Sequence, residues 1–250
     1  MDKKYGNKYE VACSILDKLK QGGTGGGKFT LVDGIKLSYS TFTEVPENLD
    51  FSEVNDFSSM FDNCTNLTSI PQIDTSNATN FNSMFDNCTS LTSIPQIDTS
   101  NGTNFSYMFS QCKNLRNIPP LDTSNGTNFE YMFQYCNNLT TIPPLDLSRG
   151  TKFSGMFYNC TVLENISFVG SINYSIGFTG GFSSWAYVNL TDDSIKSILT
   201  ACSKTTNTSS KTLSFKLSSS RVISDPNGEF ATLIGSCTDK GWTITGLTLE

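Results

Sequence analysis

The chain has 250 residues, of which 37% are hydrophobic, so it is long enough to bury a sizeable core. Its formal net charge is -6 and it has no Lys/Arg run, which argues against a nucleic-acid surface. It contains no histidine, and this excludes the commonest general base, the usual catalytic triads and most zinc sites. Composition therefore predicts a non-enzymatic protein with no cofactor and no metal.

Residues 1–21 are predicted to form an amphipathic helix that ends in a glycine-rich linker, residues 22–28. The apolar residues of this helix that we expect to anchor the chain or drive oligomerisation are Tyr9, Ala12, Ile15, Leu16 and Leu19. The segment lacks the basic and apolar stretches of an export signal. We interpret it as a peg that docks into another protein or self-associates. A frayed terminus, or one from which a signal was removed, is the alternative.

The run Gly22-Gly23-Thr24-Gly25-Gly26-Gly27-Lys28 resembles a phosphate-binding loop, but Phe29 occupies the position that needs Ser or Thr. The order of elements is also reversed, because a helix precedes the run and a strand pattern follows it. Residues 29–50 are predicted to form an N-terminal cap. Its alternating apolar residues on both sides of Asp33-Gly34 predict a β-hairpin.

The motif Phe-x-x-Met-Phe-x-x-Cys occurs five times at an interval of 24 residues within residues 51–168. Its first Phe is found at Phe57, Phe81, Phe105, Phe129 and Phe153. Met, the second Phe, Cys, Leu and Ile keep the same interval and form further columns of equivalent positions. A unit of this length cannot bury its own apolar face, so successive units are expected to stack and share one core.

Within one unit, Phe81, Met84, Phe85 and Cys88 have the spacing of one face of a short helix, and Leu91 to Ile97 resembles a strand. Packed helices are spaced more widely than paired strands, so the array is expected to curve. The fold class predicted is an α/β solenoid. It is a leucine-rich-repeat-like array with parallel β-strands on the concave face and short helices on the convex face, capped at both ends.

The pattern Cys-x-x-Leu-x-x-Ile-Pro, followed by Asp-Thr-Ser-Asn-x-Thr-Asn-Phe-x-x-Met-Phe, covers about residues 42–168. It resembles the BspA-type leucine-rich repeats of bacterial surface proteins, particularly those of mycoplasma-type lipoproteins. The resemblance implies adhesion and interaction rather than chemistry. The first unit departs from the pattern, because Val45 to Leu49 contains one additional residue.

Two repeated columns could carry chemistry. Five of the eight cysteines form one column, and stacked helices would hold their Cα atoms too far apart for disulfides. The sequence also lacks the Cys-x-x-Cys pair that would suggest a metal site, so we predict that these cysteines are buried free thiols. The second column is Asp50, Asp74, Asp98, Asp122 and Asp146. A bound cation could compensate these carboxylates, but the Thr-Ser after most of them favours Asx-turns, in which the carboxylate accepts nearby backbone N–H groups.

The repeat ends near Phe168, and residues 169–250 are predicted to form a C-terminal α/β cap. Thr191-Asp192-Asp193 indicates the start of a helix that continues to about Cys202. A strand over Thr212–Leu217, a helix over Glu229–Asp239 and a strand over Gly241–Thr245 are expected to follow.

Positions that vary between repeats are the candidates for ligand binding, because packing fixes the others. Tyr107, Tyr131, Tyr135 and Tyr158 occur only in the later repeats. The cationic residues Arg116 and Lys152, with Lys113 and Arg149, occur in the same repeats. An aromatic patch with a few cations suits contact with a glycan or a protein. Ordinary surface variation is the alternative.

Two settings fit these features. The first is a virion structural component of a bacteriophage, such as a head or tail fibre or decoration protein, located at the virion surface and anchored by the N-terminal helix. The second is a BspA-like adhesin at the bacterial cell surface. In both, the expected partners are other virion or surface proteins through the helix, host glycans or surface proteins through the repeats, and further copies of the chain. Nucleic acid and a membrane span are not expected. An intracellular scaffold and a polysaccharide-cleaving enzyme are more distant alternatives.

Overall fold

The computed structural model describes residues 28–178, 190–206, 209–215, 217 and 222–249. The predicted N-terminal helix and residues 22–27 of the linker lie outside these ranges. The strands are β1 (Phe29–Val32), β2 (Leu49–Glu53), β3 (Thr141–Asp146), β4 (Asn165–Val169), β5 (Ile176–Phe178), β6 (Lys211–Phe215) and β7 (Trp242–Thr245). The two helices of the described residues are α1 (Asp192–Ser203) and α2 (Glu229–Asp239).

Successive 24-residue repeats lie on one another in parallel register. Parallel bridges join equivalent residues, from Asp56 with Asn80 to Asn128 with Lys152. The two Phe columns form two continuous stacks of nearly parallel rings, with centroids 5.4–6.2 Å apart. Met, Cys and Leu of each repeat are fully buried beside these rings. The repeat columns therefore form one core, which Phe51 continues at one end and Phe168 at the other.

The prediction of a short helix in each repeat is wrong, because the segments with the Phe-x-x-Met-Phe-x-x-Cys motif form consecutive turns. In the second repeat, Met84 N and Cys88 N bond to the carbonyls three residues earlier. The alternate N–H groups cross to the next repeat, as in Phe85 N to Met108 O at 2.9 Å. Ser83 and Asn87 have φ angles of 53° and 56°, which a right-handed helix does not contain. The apolar spacing correctly predicted which side chains are buried. However, every second backbone N–H group donates to the next repeat instead of closing a helical turn.

The strand predicted in each repeat is found only where the last two repeats meet, as the parallel pair β3 and β4. Every copy before β4 carries proline here, which lacks the N–H that a ladder needs, and even the pairing of β3 with β4 shifts register around Pro143 and Pro144. Side chains supply bonds instead: Gln72 Nε2 donates to Gln96 O at 2.6 Å, and buried Thr75 donates through Oγ1 to Asp98 O at 2.8 Å. Because the repeats have no helices, the argument that helices wider than strands make the array curve no longer applies. The assignment to leucine-rich-repeat-like solenoids stays a prediction.

The β-hairpin predicted in the N-terminal cap is also wrong. β1 pairs in parallel with β2, and the chain after Asp33-Gly34 enters the stack instead of returning along β1. Leu37 N bonds to Met60 O and Tyr39 N to Asp62 O, the bonds that residues 24 positions later make in the first full repeat. Leu37 is fully buried in the position that Phe61 takes next. Burial of this leucine favours an incomplete additional repeat over a hairpin.

The C-terminal module contains the elements predicted for it. β5, β6 and β7 form a parallel three-stranded sheet in that order, and α1 and α2 pack on each other. α1 begins after its N-cap residue, Thr191. Its serine side chains bond to the backbone at the end of the last repeat. Ser194 Oγ accepts from Ile166 N at 3.0 Å, and Ser197 Oγ accepts from Phe168 N at 3.0 Å. These hydroxyls satisfy donors of β4 that no further repeat would pair.

The prediction of buried free thiols in the cysteine column is confirmed. All five are fully buried and unpaired with other cysteines. Each thiol also donates to a carbonyl of the preceding unit, as in Cys112 Sγ to Phe85 O at 3.1 Å and Cys136 Sγ to Phe109 O at 3.2 Å. Burial raises the pKa of Cys64 and Cys160 to about 12. The neutral thiols thus act as small apolar groups that add one bond between repeats.

Candidate binding site

Four tyrosines from three consecutive repeats converge on one open cleft. Its volume is about 460 Å³. We name it the tyrosine cleft, and its lining residues are Tyr107, Tyr131, Gln134, Tyr135, Ser154, Gly155 and Tyr158. The sequence analysis predicted that the four tyrosines share one surface patch, and the structure brings all four together. They are half-buried rather than fully exposed.

The turns of the repeat determine where the tyrosines lie. Tyr107 and Tyr131 occupy the same left-handed position in successive repeats, with φ of 58° and 56°, and Tyr135 occupies the second such position, with φ of 58°. The next residue in the first column is Gly155, and the Tyr131 ring covers it. A Cβ atom at Gly155 would lie 2.3 Å from Cε1 of Tyr131. The missing side chain therefore creates the space into which Tyr131 lies, a contribution that sequence reasoning missed.

The four rings form two pairs with different geometry. Tyr107 and Tyr131 are stacked, with centroids 4.9 Å apart and planes at 24°. Tyr135 and Tyr158 meet edge to face, with centroids 5.5 Å apart and planes at 79°. Burial raises the pKa of Tyr107, and charge repulsion from the neighbouring Tyr131, Glu130 and Asp86 adds a smaller increase. Burial and a hydrogen bond to Tyr158 raise the pKa of Tyr135. The hydroxyls at these two positions are thus neutral at ordinary pH.

The predicted cations do not line the cleft. Arg116 is exposed on the segment that follows the turns, and its backbone N–H donates to Thr92 O. Lys152 is exposed in the bridge column beside Asn128. The prediction of a mixed aromatic and cationic patch is therefore wrong for these two residues. The anchoring residues Tyr9, Ala12, Ile15, Leu16 and Leu19 lie outside the described residues.

Acidic residues lie next to the cleft. Glu130 directly precedes Tyr131, and its carbonyl accepts from Tyr107 N at 2.9 Å. The column that ends at Tyr158 begins with Asp62 and Asp86 and continues through Ser110 to Gln134. Ser110 Oγ lies beside the Asp86 carboxylate and 3.5 Å from Gln134 Oε1, and its one proton can be donated to only one of these two acceptors at a time. A row of polar groups thus joins a carboxylate to the tyrosine cleft.

Asp62 and Asp86 form a half-buried pair of like charges in adjacent repeats. Burial and the Asp86 carboxylate raise the pKa of Asp62 to about 6, and burial raises that of Asp86. The Oδ1 atom of Asp86 is buried without a hydrogen-bond partner. Sequence reasoning missed this pair, because the later repeats have other residues at this position and the column therefore does not repeat an acid throughout. The only signal was that two successive repeats carry an acid there.

Asp62→Asn is expected to stabilise the protein at pH 7. A pKa raised from 3.8 to about 6 corresponds to about 3 kcal/mol at full effect, which solvent screening of a half-buried group reduces to about 1 kcal/mol. The raised pKa means that the folded state binds the proton more tightly, so wild-type stability falls as pH rises from about 4 to 6. Urea unfolding of both proteins over this pH range measures the difference, which should vanish below about pH 4.

Asp98→Asn is the matched control for that experiment. Two hydrogen bonds from Ser100 lower the pKa of Asp98, so its charged form is the stabilising one and the substitution should reduce stability at pH 7. A gain from Asp98→Asn equal to that from Asp62→Asn would contradict the assignment.

The Asx-turns predicted for the repeated aspartates are confirmed. Asp74 Oδ1 accepts from Ser76 N at 3.0 Å and from Ser76 Oγ at 2.7 Å. Asp98 and Asp122 make the same two bonds to Ser100 and Ser124. These bonds lower the pKa of Asp74 and Asp98 and compensate the stacked carboxylates without a ligand.

Two overlapping matches, over residues 36–141 and 91–204, relate the chain to the family described as Mycoplasma protein of unknown function, DUF285. Together they span residues 36–204, about two thirds of the chain. The chain belongs to this family. The matched region contains all five repeats, which agrees with the mycoplasma-type resemblance of their sequence. No curated protein matches the chain. In the part of the chain that the structure describes, neither α1 nor α2 nor any other helix has the length and apolar character needed to cross a membrane.

Proposed function

We propose that the protein is a non-enzymatic interaction or adhesion protein that binds its ligand in the tyrosine cleft. The observation that carries this proposal is the convergence of four half-buried tyrosines from positions that stacking does not fix. Phe, Met, Cys and Leu of the same repeats are fully buried and serve the core. Tyrosines in a concave site combine a large apolar face with a polar tip, which suits recognition of a glycan or a surface protein.

The proposal places the chain in one of two settings. As a bacteriophage virion component it would present the tyrosine cleft on a head or tail fibre or decoration protein. As a BspA-type leucine-rich-repeat adhesin it would present the cleft at the cell surface, and the description of its family as a Mycoplasma protein supports a bacterial setting. Protease treatment of intact source cells tests the choice. Cleavage of the chain on cells supports the adhesin, whereas recovery with sedimenting particles supports the virion component.

The triple variant Tyr107→Ser, Tyr131→Ser and Tyr135→Ser is expected to lose at least about tenfold in affinity for target cells or glycans, because it removes three of the four aromatic contacts. Flow cytometry with labelled protein measures cell binding. Tyr174→Ser is the matched control, because Tyr174 is 43% exposed and does not line the cleft. Arg116→Ala with Lys152→Ala should also leave binding unchanged. Unaltered cell binding by a folded triple variant would refute this function for the cleft.

A further inference from the structure

The rings that line the tyrosine cleft differ in orientation. Tyr107 and Tyr131 lie within 24° of parallel, whereas Tyr135 and Tyr158 stand at 79° to each other. Two perpendicular rings form two walls of a corner. A flat sugar ring uses one stacking face at a time, whereas a rounded group touches several walls together. The arrangement therefore favours a compact, roughly spherical group.

The charge around the cleft favours a cation. Aromatic faces carry negative potential, and the Glu130 and Asp86 carboxylates lie close enough to the cleft to raise the pKa of Tyr107. Asp86 lies beside Ser110, whose Oγ is 3.5 Å from Oε1 of Gln134 in the cleft lining, and Glu130 adjoins Tyr131 in the chain. The whole chain is also negative, with a formal net charge of -6. The described residues that line the cleft include no Lys or Arg to repel a cation.

The lining also distinguishes between kinds of cation. It consists of four tyrosines, one glutamine, one serine and one glycine, with no carboxylate. A lysine ammonium or an arginine guanidinium carries several N–H donors, for which the lining offers only neutral acceptors such as hydroxyls and Gln134 Oε1, so loss of hydration offsets much of the gain. A fully alkylated ammonium has no N–H group, so aromatic faces and a negative field are sufficient to hold it.

We propose that the tyrosine cleft binds a fully alkylated ammonium group, of the trimethylammonium type found in choline. The inference rests on the proposed function and specifies the ligand class of the same site. The tyrosine rings that line the cleft hold the methyl groups, and the nearby Glu130 and Asp86 carboxylates contribute long-range attraction. The cleft volume of about 460 Å³ leaves room for the remainder of a larger ligand.

Titration of the full chain with choline, followed by calorimetry, tests the inference. The reference ligand is the neutral isostere in which carbon replaces the nitrogen. Choline is expected to bind at least about tenfold more tightly than the isostere, because only choline carries the charge that aromatic faces attract. Equal binding of the two ligands, or no binding of choline, would overturn the inference.

Variants separate the ring from its hydroxyl. Tyr131→Ser should weaken choline binding about tenfold, whereas Tyr131→Phe should retain it, because the ring face is the attractive element. Glu130→Gln should weaken it about two- to threefold, with Glu53→Gln as the control at an exposed acid of β2. Circular dichroism verifies folding, and Tyr158→Ser replaces Tyr131→Ser should the latter unfold. Loss of binding in Tyr131→Phe would indicate hydrogen bonding to the hydroxyl and contradict the inference.

The two proposals fail in distinguishable ways. Absence of choline binding, together with loss of cell binding in the triple tyrosine variant, would overturn the ammonium ligand and leave the adhesive function intact. Choline binding together with unchanged cell binding in the triple variant would support the ammonium site and overturn its role in adhesion.

Discussion

Phe109→Ala is expected to lower the free energy of unfolding by about 3–5 kcal/mol, the usual cost of removing a phenyl ring from a core. Phe109 is fully buried in the middle of its stack. Its ring lies 5.6 Å from that of Phe85 and 5.8 Å from that of Phe133, nearly parallel to both. Hydrogen bonds between repeats hold the backbone on each side, so the neighbours cannot close the cavity. Urea unfolding followed by circular dichroism measures the loss.

Phe29→Ala is the matched control, because this residue carries the same side chain at 40% exposure in β1. It should change stability by no more than about 0.5 kcal/mol. Phe109→Leu keeps much of the volume and should have an intermediate cost of about 1–2 kcal/mol. Similar losses for Phe29→Ala and Phe109→Ala would mean that the ring stacks do not dominate the stability of the repeats.

The interval of 24 residues was sufficient to predict which side chains form the core, but not the backbone that carries them. Phe81, Met84, Phe85 and Cys88 face inward in a helix and in the observed turns alike. The two structures differ in where the alternate N–H groups bond, and apolar spacing carries no information about that. Asn63, Asn87 and Asn159 were the missed signal, because asparagine tolerates positive φ and recurs at the same position of the turns.

The candidate site was predictable in its aromatic part for a similar reason. Tyr107, Tyr131, Tyr135 and Tyr158 depart from columns that packing fixes, so their variation pointed to a surface. The sequence did not show which neighbours share that surface. Arg116 lies only nine positions after Tyr107, yet the turns and the segment after them diverge. Nothing in the repeat pattern marks Gly155 as important, although the space it leaves is what admits Tyr131.

Gly126→Ala is expected to destabilise the protein by about 1–3 kcal/mol, the range for overpacking a core. An added Cβ atom would lie 2.2 Å from Cζ of Phe129, closer than any van der Waals contact. The second repeat carries Ala78 at the equivalent position, and there the rings of Phe57 and Phe81 are 6.2 Å apart and tilted by 17°. In the glycine repeats, the rings of Phe105 and Phe129 are 5.6 Å apart and tilted by 6°.

This comparison predicts how the variant accommodates its methyl group. Phe129 should rotate toward the geometry of the Ala78 repeat, but it is packed between two parallel rings and the later repeats must then shift with it. The near-ultraviolet circular dichroism of the phenylalanines should change, and the urea midpoint should fall. Gly235→Ala is the control, because an added Cβ atom in α2 meets nothing within 4 Å. It should raise stability by about 0.5–1 kcal/mol through helix propensity. Equal effects of the two substitutions would show that the glycine column is not required for close stacking.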